Sequence, residues 1–400
     1  MLTAASKHLE KLFTFLERKR LPSVLVAVIC VSVFFANWLT PLVLSPDSYT
    51  YIRWAETLVS LQFDYPTYFR TNDFFTPSYF YTIPVSVIAL LQVVFSEVWL
   101  TAFHIMNALL IAASILASYL SLRALSVRPA IAALGLFSTF LCVDFFIWPH
   151  YLLSDTLFVF FASLTLLATS SSGWNHTRAY YSVVLILLLL FCRPASLPYC
   201  AVGLAVVIGK HWNPGAQIDK YRLLISSIAL VVIGSALFVS LVNIGLKNPG
   251  MSAQIDFITT LAKAGTVIHD RPETFLAEPI NNYDLCVLYL QRLVMFWTPY
   301  LSAFSLPHNA LNIALTTIVW TGLLAGGYSM QKMCERGRTA FFVIVILCIA
   351  VSCFQALTII DYDWRYRYPL QLPLILCAVI GFDSLFKFNG CSKQTRAYIS

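Results

Sequence analysis

Long apolar runs separated by short polar and basic breaks set the pattern of this chain. Runs at 21–40, 99–122, 129–148, 152–170, 223–246, 309–330, 341–360 and 366–386 approach the roughly 20 apolar residues that a helix needs to cross a bilayer. Two shorter runs, 179–192 and 195–209, are interrupted by Arg193-Pro194. The runs are continuous and do not alternate, which excludes a strand barrel. They predict an all-α integral membrane protein, a multi-span helical bundle of about ten spans, because only helices or closed barrels satisfy the backbone in lipid. Residues 1–400 read as a single polytopic membrane domain with no repeat.

Two long breaks stand out, a first external loop at 41–98 and a second at 247–308. The first opens on Ser45-Pro46-Asp47-Ser48, which reads as a helix N-cap, a first-position proline and an acidic first turn. Asp47, Tyr51, Trp54, Ala55 and Leu58 then fall on one face, and Tyr49, Arg53 and Glu56 on another. The spacing predicts a short amphipathic helix at the membrane surface with a carboxylate at its start. A second apolar run, 78–95, is read as another interfacial helix, because a crossing there would place Arg123 and Arg128 outside. The run at 285–304 in the second loop is read in the same way.

Composition agrees with a membrane protein. Hydrophobic residues make up 59% of the 400 and charged residues 11%, and mean hydropathy is +0.75. The net charge of +7 does not point to nucleic acid, since the basic residues sit at the ends of apolar runs as topology signals. They place both termini inside. The ten cysteines are scattered, without ligand spacing or a disulfide pattern. The basic N-terminal stretch (Lys11, Arg18, Lys19, Arg20) is read as preceding an uncleaved first span. No metal or other cofactor is expected, because His150, His269 and His308 are isolated in sequence.

Several charges break the positive-inside pattern. Arg53 and Arg70 fall in the first external loop, Arg271 and Arg292 in the second, Arg193 between two short runs, and Arg365 and Arg367 at the external start of the last run. Charges near membrane depth are costly and need partners. Guanidinium offers a planar, permanently charged fork matched to phosphate. Arg365-Tyr366-Arg367-Tyr368-Pro369 therefore suits a lipid phosphate, with tyrosines beside the chain. The same residues also suit an interfacial anchor, with the arginines snorkelling or pairing with Asp361 and Asp363. Asp47 has two readings, a reacting carboxylate or a complement to the helix dipole, and Asp155 is equally either a functional acid or a helix cap.

Taken together, these pieces resemble the polytopic glycosyltransferases that use lipid-phosphate sugars, such as protein O-mannosyltransferases and bacterial aminoarabinose transferases of lipid A. The resemblance rests on Asp47 with Tyr51 a turn later, Leu153-Ser154-Asp155, Arg193-Pro194, and Arg365-Tyr366-x-x-Pro369. Their order runs through nearly the whole chain, though each motif is short. The resemblance implies that Asp47 is the catalytic acid of the first loop, and that Arg193, Arg365, Tyr366 and Arg367, with Tyr51 and Arg53, bind substrate. Many relatives carry two adjacent acids at this point, whereas Pro46 precedes Asp47 here. A single carboxylate then has to suffice, or Asp155 supplies the second. The large soluble C-terminal domain of some relatives is not expected, so acceptor recognition would fall to the external loops.

One carboxylate is enough for this chemistry. A polyprenyl phosphate leaves without a general acid, so inverting transfer needs only one base at the acceptor hydroxyl. A glycosidase needs two carboxylates because its leaving group is poor. The expected partners are a polyprenyl-phosphate sugar, an acceptor that is a lipid, glycan or protein, and membrane lipid. The expected location is a bacterial inner membrane with the site facing the periplasm. The competing reading is a transporter or flippase of a lipid-linked anion, in which the arginines would line a phosphate path.

Overall fold

The computed structural model describes residues 12–17, 19–71, 78–171, 174–212, 282–302, 304–356 and 364–386. The run at 223–246, most of the second loop including Arg271, and the acids Asp361 and Asp363 lie outside the described residues. Among the described residues the chain is helical, and its one strand-like contact is an isolated bridge between Val43 and Tyr151. Among the described residues, five helices are long and apolar enough to cross a membrane, or six if one bent pair counts as a single span.

The elements follow the apolar runs. They are α1 (Leu21–Leu39), α2 (Pro46–Ser60), α3 (Thr82–Phe95), α4 (Trp99–Ala124), α5 (Pro129–Leu136), α6 (Asp155–Ser170), α7 (His176–Leu190), α8 (Leu197–Trp212), α9 (Asn282–Trp297), α10 (Leu306–Tyr328), α11 (Glu335–Ala356) and α12 (Tyr368–Leu385). α6, α7 and α8 are apolar but have only 15 or 16 residues each. Several hydroxyls inside the apolar helices are satisfied within their own helix: Ser114 donates to Leu110 O, Ser163 to Val159 O and Ser352 to Cys348 O.

The last helix is the axis of the bundle. α12 packs against α10, α11, α5 and α6, and 89% of its apolar stretch is buried. A helix that is apolar all round belongs in such a central position. It runs parallel to α10, since Gln371 and Asn312 lie together near the helix starts and Ser384 hydrogen-bonds Ser329 near their ends. The two backbones nearly touch. A Cβ on Gly381 would lie 1.9 Å from Gly322 O, and one on Gly322 would lie 2.5 Å from Ala378 Cα. Small residues allow this approach, and close packing drives helix association where lipid removes the hydrophobic incentive.

The end of α12 is fixed by charge. Arg128 Nε donates to Asp383 Oδ1 at 2.8 Å and Arg128 Nη2 donates to Asp383 O at 3.1 Å. The Arg128 guanidinium also lies 5.5 Å and 5.7 Å from the Phe13 and Phe386 rings. This tie is about 22 Å along α12 from Tyr368.

One detail differs from the sequence expectation. The run at 129–148 is broken, with helical pieces Pro129–Leu141 and Asp144–His150 bent by 68°. Buried amides take up the freed carbonyls: Asn37 Nδ2 donates to Phe145 O at 3.1 Å, and Asn107 Nδ2 to Pro149 O at 3.0 Å. Broken backbone at such depth is tolerated because neighbouring groups satisfy it again. The run at 78–95 leads directly into α4. Thr82–Ala124 is one 43-residue apolar stretch interrupted by a 3-10 turn at Ser96–Val98. Tyr81 before α3 and Trp99 after it belong to the same apolar cluster as Tyr51, Trp54 and Leu58 of α2. Both ends of α3 therefore lie at the end of the bundle where α2 sits.

Gly381→Ala is expected to lower stability by about 3 kcal/mol, the upper end for overpacking, because the added methyl meets backbone that cannot rotate away. Thermal unfolding of the purified protein in detergent measures this, and an unchanged midpoint would contradict the close α10–α12 contact.

Candidate functional site

The start of α2 is built as its sequence predicts. Ser45 is the N-cap, Ser48 N donates to Ser45 Oγ at 3.3 Å, and Ser45 N donates back to Ser48 Oγ at 2.9 Å. This reciprocal cap satisfies two backbone donors. Tyr51, Trp54, Ala55 and Leu58 are buried as one face. Asp47 begins that face but stays in the open, with its side chain 58% exposed.

A backbone clip aligns this helix with α6. Val43 N donates to His150 O at 2.7 Å, and Leu152 N donates to Val43 O at 3.4 Å. Tyr51 Oη then lies 3.4 Å from Ser154 Oγ. The next residue, Asp155, opens α6 and is buried, and its carboxylate accepts a hydrogen bond from buried Arg193. Arg193 comes from the break between the two short helices α7 and α8. Pro194 follows it, and Ser196 N and Ser196 Oγ donate to Arg193 O at 3.1 and 2.7 Å. Burial works most strongly against the charge of Arg193, and Asp155 together with Tyr81 and Tyr366 offsets it.

The turn before α12 closes the site. The Arg193 guanidinium lies 5.5 Å from the Tyr366 ring, and that of Arg365 lies 5.8 Å from the same ring and 5.9 Å from the Trp148 ring. Arg365 Nη1 donates to Asp47 Oδ2 at 3.3 Å. One surface thus carries two ion pairs in series, Asp47–Arg365 at the mouth and Asp155–Arg193 behind it, with Tyr366 between the two arginines. Guanidinium groups stack on aromatic faces in this way and keep their donors free to point elsewhere.

The structure brings together Asp47, Tyr51, Asp155, Arg193, Arg365 and Tyr366 of the residues expected from sequence. Two others stand apart. Arg53 is exposed on the opposite face of α2. Arg367 is buried and turned toward α9, where its Nη1 donates to Thr298 O at 3.0 Å. Arg365 and Arg367 sit two residues apart in the 3-10 turn Trp364–Arg367, which sends them to different sides. Tyr81 and Trp148 were not anticipated. The Tyr81 ring is 5.5 Å from that of Tyr51 and 5.7 Å from that of Trp54. Burial pushes the Tyr81 phenol up, Arg193 and Arg365 pull it back, and Asp47 and Asp155 push it up again. The phenol stays a neutral hydrogen-bonding group among four charges. No sequence motif marks it, since it lies in an aromatic run, Tyr79-Phe80-Tyr81, like many interfacial segments.

No protein-family model matches the chain, and no solved structure matches it. Part of the chain is similar to proteinase-activated receptor 1 of Xenopus laevis, at 28% identity over 120 residues, 28% of this chain and 29% of the receptor. The chain therefore spans less than a third of that relative's length, and a match of this extent places it in no family.

Removing one partner of the buried pair leaves an uncompensated charge. Asp155→Leu and Arg193→Met are each expected to cost about 3–5 kcal/mol, and the double substitution less than either alone. Unfolding of the four proteins in detergent tests this, and additive losses would show that the two side chains do not depend on each other.

Proposed function

We propose that this chain is an inverting membrane glycosyltransferase that moves a hexosyl or pentosyl group from a polyprenyl-phosphate carrier to a lipid, glycan or protein acceptor. One observation carries the reading. Asp47, Asp155, Arg193 and Arg365, spread over more than three hundred positions of sequence, converge on one surface, with an accessible carboxylate touching an arginine.

In this reading Asp47 accepts the proton of the acceptor hydroxyl as that oxygen attacks the anomeric carbon. The bond between the anomeric carbon and the carrier phosphate oxygen breaks, and its electron pair leaves on the phosphate. Arg365 stabilises that growing charge, the electrostatic term that usually dominates. Donor phosphate and Asp47 compete for the Arg365 guanidinium, so donor binding frees Asp47 to act as the base. Arg193 stands behind, anchored by Asp155, and fixes the Tyr366 ring against which Arg365 rests. Asp155 has its partner already and is a positioning residue.

The distribution of charge supports a site facing away from the cytoplasm. Arg128 sits at the Asp383 end of α12, and Cys334, beside Arg336 and Arg338, hydrogen-bonds Leu125 O there. Basic residues mark the cytoplasmic side, and the Asp47 cluster is at the opposite end. On this reading the chain crosses about ten times, the short helices α6, α7 and α8 included. The location is a bacterial inner membrane with the site open to the periplasm and the products part of the cell envelope. A second reading, transport of a lipid-linked anion, is favoured by the helix broken at Leu141–Asp144, since broken helices line transport sites.

Release of polyprenyl phosphate by protein in nanodiscs separates the two. The donors are a panel of polyprenyl-phosphate sugars and the acceptor is crude envelope extract. Wild type is expected to release carrier phosphate, and Asp47→Asn to lose about 10²-fold or more in rate while unfolding normally. Arg365→Ala is expected to lose about 10²-fold. Equal release by Asp47→Asn and wild type would sink the assignment of the base. No release with the full panel, together with movement of lipid-linked sugar across vesicles, would establish transport instead.

A further inference from the structure

A cavity of about 30 Å³ lies between the ends of α9, α10 and α12, on the far side of the Trp364–Arg367 turn from Asp47. Its walls include Trp297 of α9, Asn312 and Trp320 of α10, and Arg367, Gln371 and Leu374 at the start of α12. The Trp297 and Trp320 rings meet edge to face with centroids 5.8 Å apart, and Trp320 is 45% exposed, so the tryptophans form the mouth.

Asn312 is the unexplained group. It is 6% exposed, it lines the cavity, and its amide nitrogen has no hydrogen-bond partner among the described residues. A buried amide without a partner is costly, and native structures rarely keep one without a reason. Two polar neighbours make hydrogen bonds of their own. Arg367 Nη1 donates to Thr298 O, and Gln371 Nε2 donates to Asp144 Oδ2 at 3.2 Å. Asp144 in turn accepts from Trp148 Nε1 at 3.1 Å. Arg367 lines the cavity and faces Asp144 electrostatically behind the wall. What Asn312 offers is an N–H donor in a chamber large enough for a single small polar group.

Depth and walls narrow the ligand further. Asn312 lies six residues beyond Leu306, about 9 Å along α10. Half the difference between the whole bilayer and its hydrocarbon core is about 5–7 Å. A group at this depth sits near the hydrocarbon boundary, where acyl esters lie, and Trp320, eight residues further along α10, leads from it toward the hydrocarbon core. We propose that the cavity takes the ester carbonyl of a diacyl membrane lipid, which accepts from Asn312 Nδ2 while its acyl chain leaves between Trp297 and Trp320. The site is separate from the Asp47 cluster, and its occupancy does not depend on any transfer reaction.

The test is a competition read by native mass spectrometry of the full chain in detergent. The probes are a diacyl phosphatidylglycerol and its dialkyl ether analogue with matched chains, at equal concentration. The ether lacks only the carbonyls. Wild type is expected to retain the ester about fivefold over the ether, the effect of one hydrogen bond. Asn312→Leu is expected to bring the ratio to about one. Wild type that holds both lipids equally would overturn the proposal, as would an undiminished ester preference in Asn312→Leu. Should that variant unfold, Asn312→Ala removes the N–H without adding a new donor, and it must also lose the preference.

Discussion

The buried pair of Asp155 and Arg193 is the contact on which the site depends. Neither residue has a place at membrane depth without the other, since an isolated charge there costs several kcal/mol. Each also stands at a point where the backbone is discontinuous. Asp155 opens α6 just after the broken helix, and Arg193 fills the break between α7 and α8. The pair therefore joins two interruptions that apolar packing alone would leave unregistered. Through the Tyr366 ring it also reaches the turn before α12. The position of Arg365, and with it the contact to Asp47, is set by this inner pair.

The rest of the bundle supplies a rigid frame for that arrangement. In lipid the helices gain little by hiding apolar surface from one another, so shape decides which pairs form. Gly322, Ala378 and Gly381 let α10 and α12 approach to backbone contact. The tie from Arg128 to Asp383 then fixes the far end of α12. A helix pinned at its far end and packed backbone to backbone cannot slide, so the turn that carries Arg365 and Arg367 is held to one register. The two ends of α12 do different work with the same kind of residue. At one end an arginine and an aspartate close a structural contact, and at the other an arginine meets an aspartate that water can reach.

Much of this was legible in sequence because it rests on local rules. The Ser45 cap, the proline at the first position of α2 and the buried face of Tyr51, Trp54, Ala55 and Leu58 all follow from periodicity and capping chemistry. The positions of five long apolar helices follow from hydropathy. The misses share a different cause. Arg365 and Arg367 look alike in an Arg-Tyr-Arg-Tyr run, and only the tight turn decides that one joins Asp47 and the other faces α9. The bend after Leu141 has no proline or glycine at the break. It is stabilised by Asn37 and Asn107, whose buried amides come from helices remote in sequence. Tyr81 was invisible for the same reason, as its role comes entirely from neighbours contributed by α2, Arg193 and Arg365.

The structure also separates two aspartates that sequence left equivalent. Both stand in the first turn of a helix, and both face an arginine. Their surroundings differ. Asp155 is 2% exposed and shares its proton-accepting oxygens with a guanidinium that burial has made inseparable from it. A carboxylate so bound stabilises an architecture and is poorly placed to take a proton from a substrate. Asp47 is held only by the cap of α2, reaches solvent, and meets Arg365 at 3.3 Å in a contact that a phosphate can displace. Exposed ion pairs of this kind contribute little to stability, so the protein loses little when the pair opens. In the proposed reaction, a base released only when an anion occupies its arginine is coupled to the arrival of the donor. That proposed coupling needs one exposed pair set against one buried pair, which is how Asp47–Arg365 and Asp155–Arg193 differ.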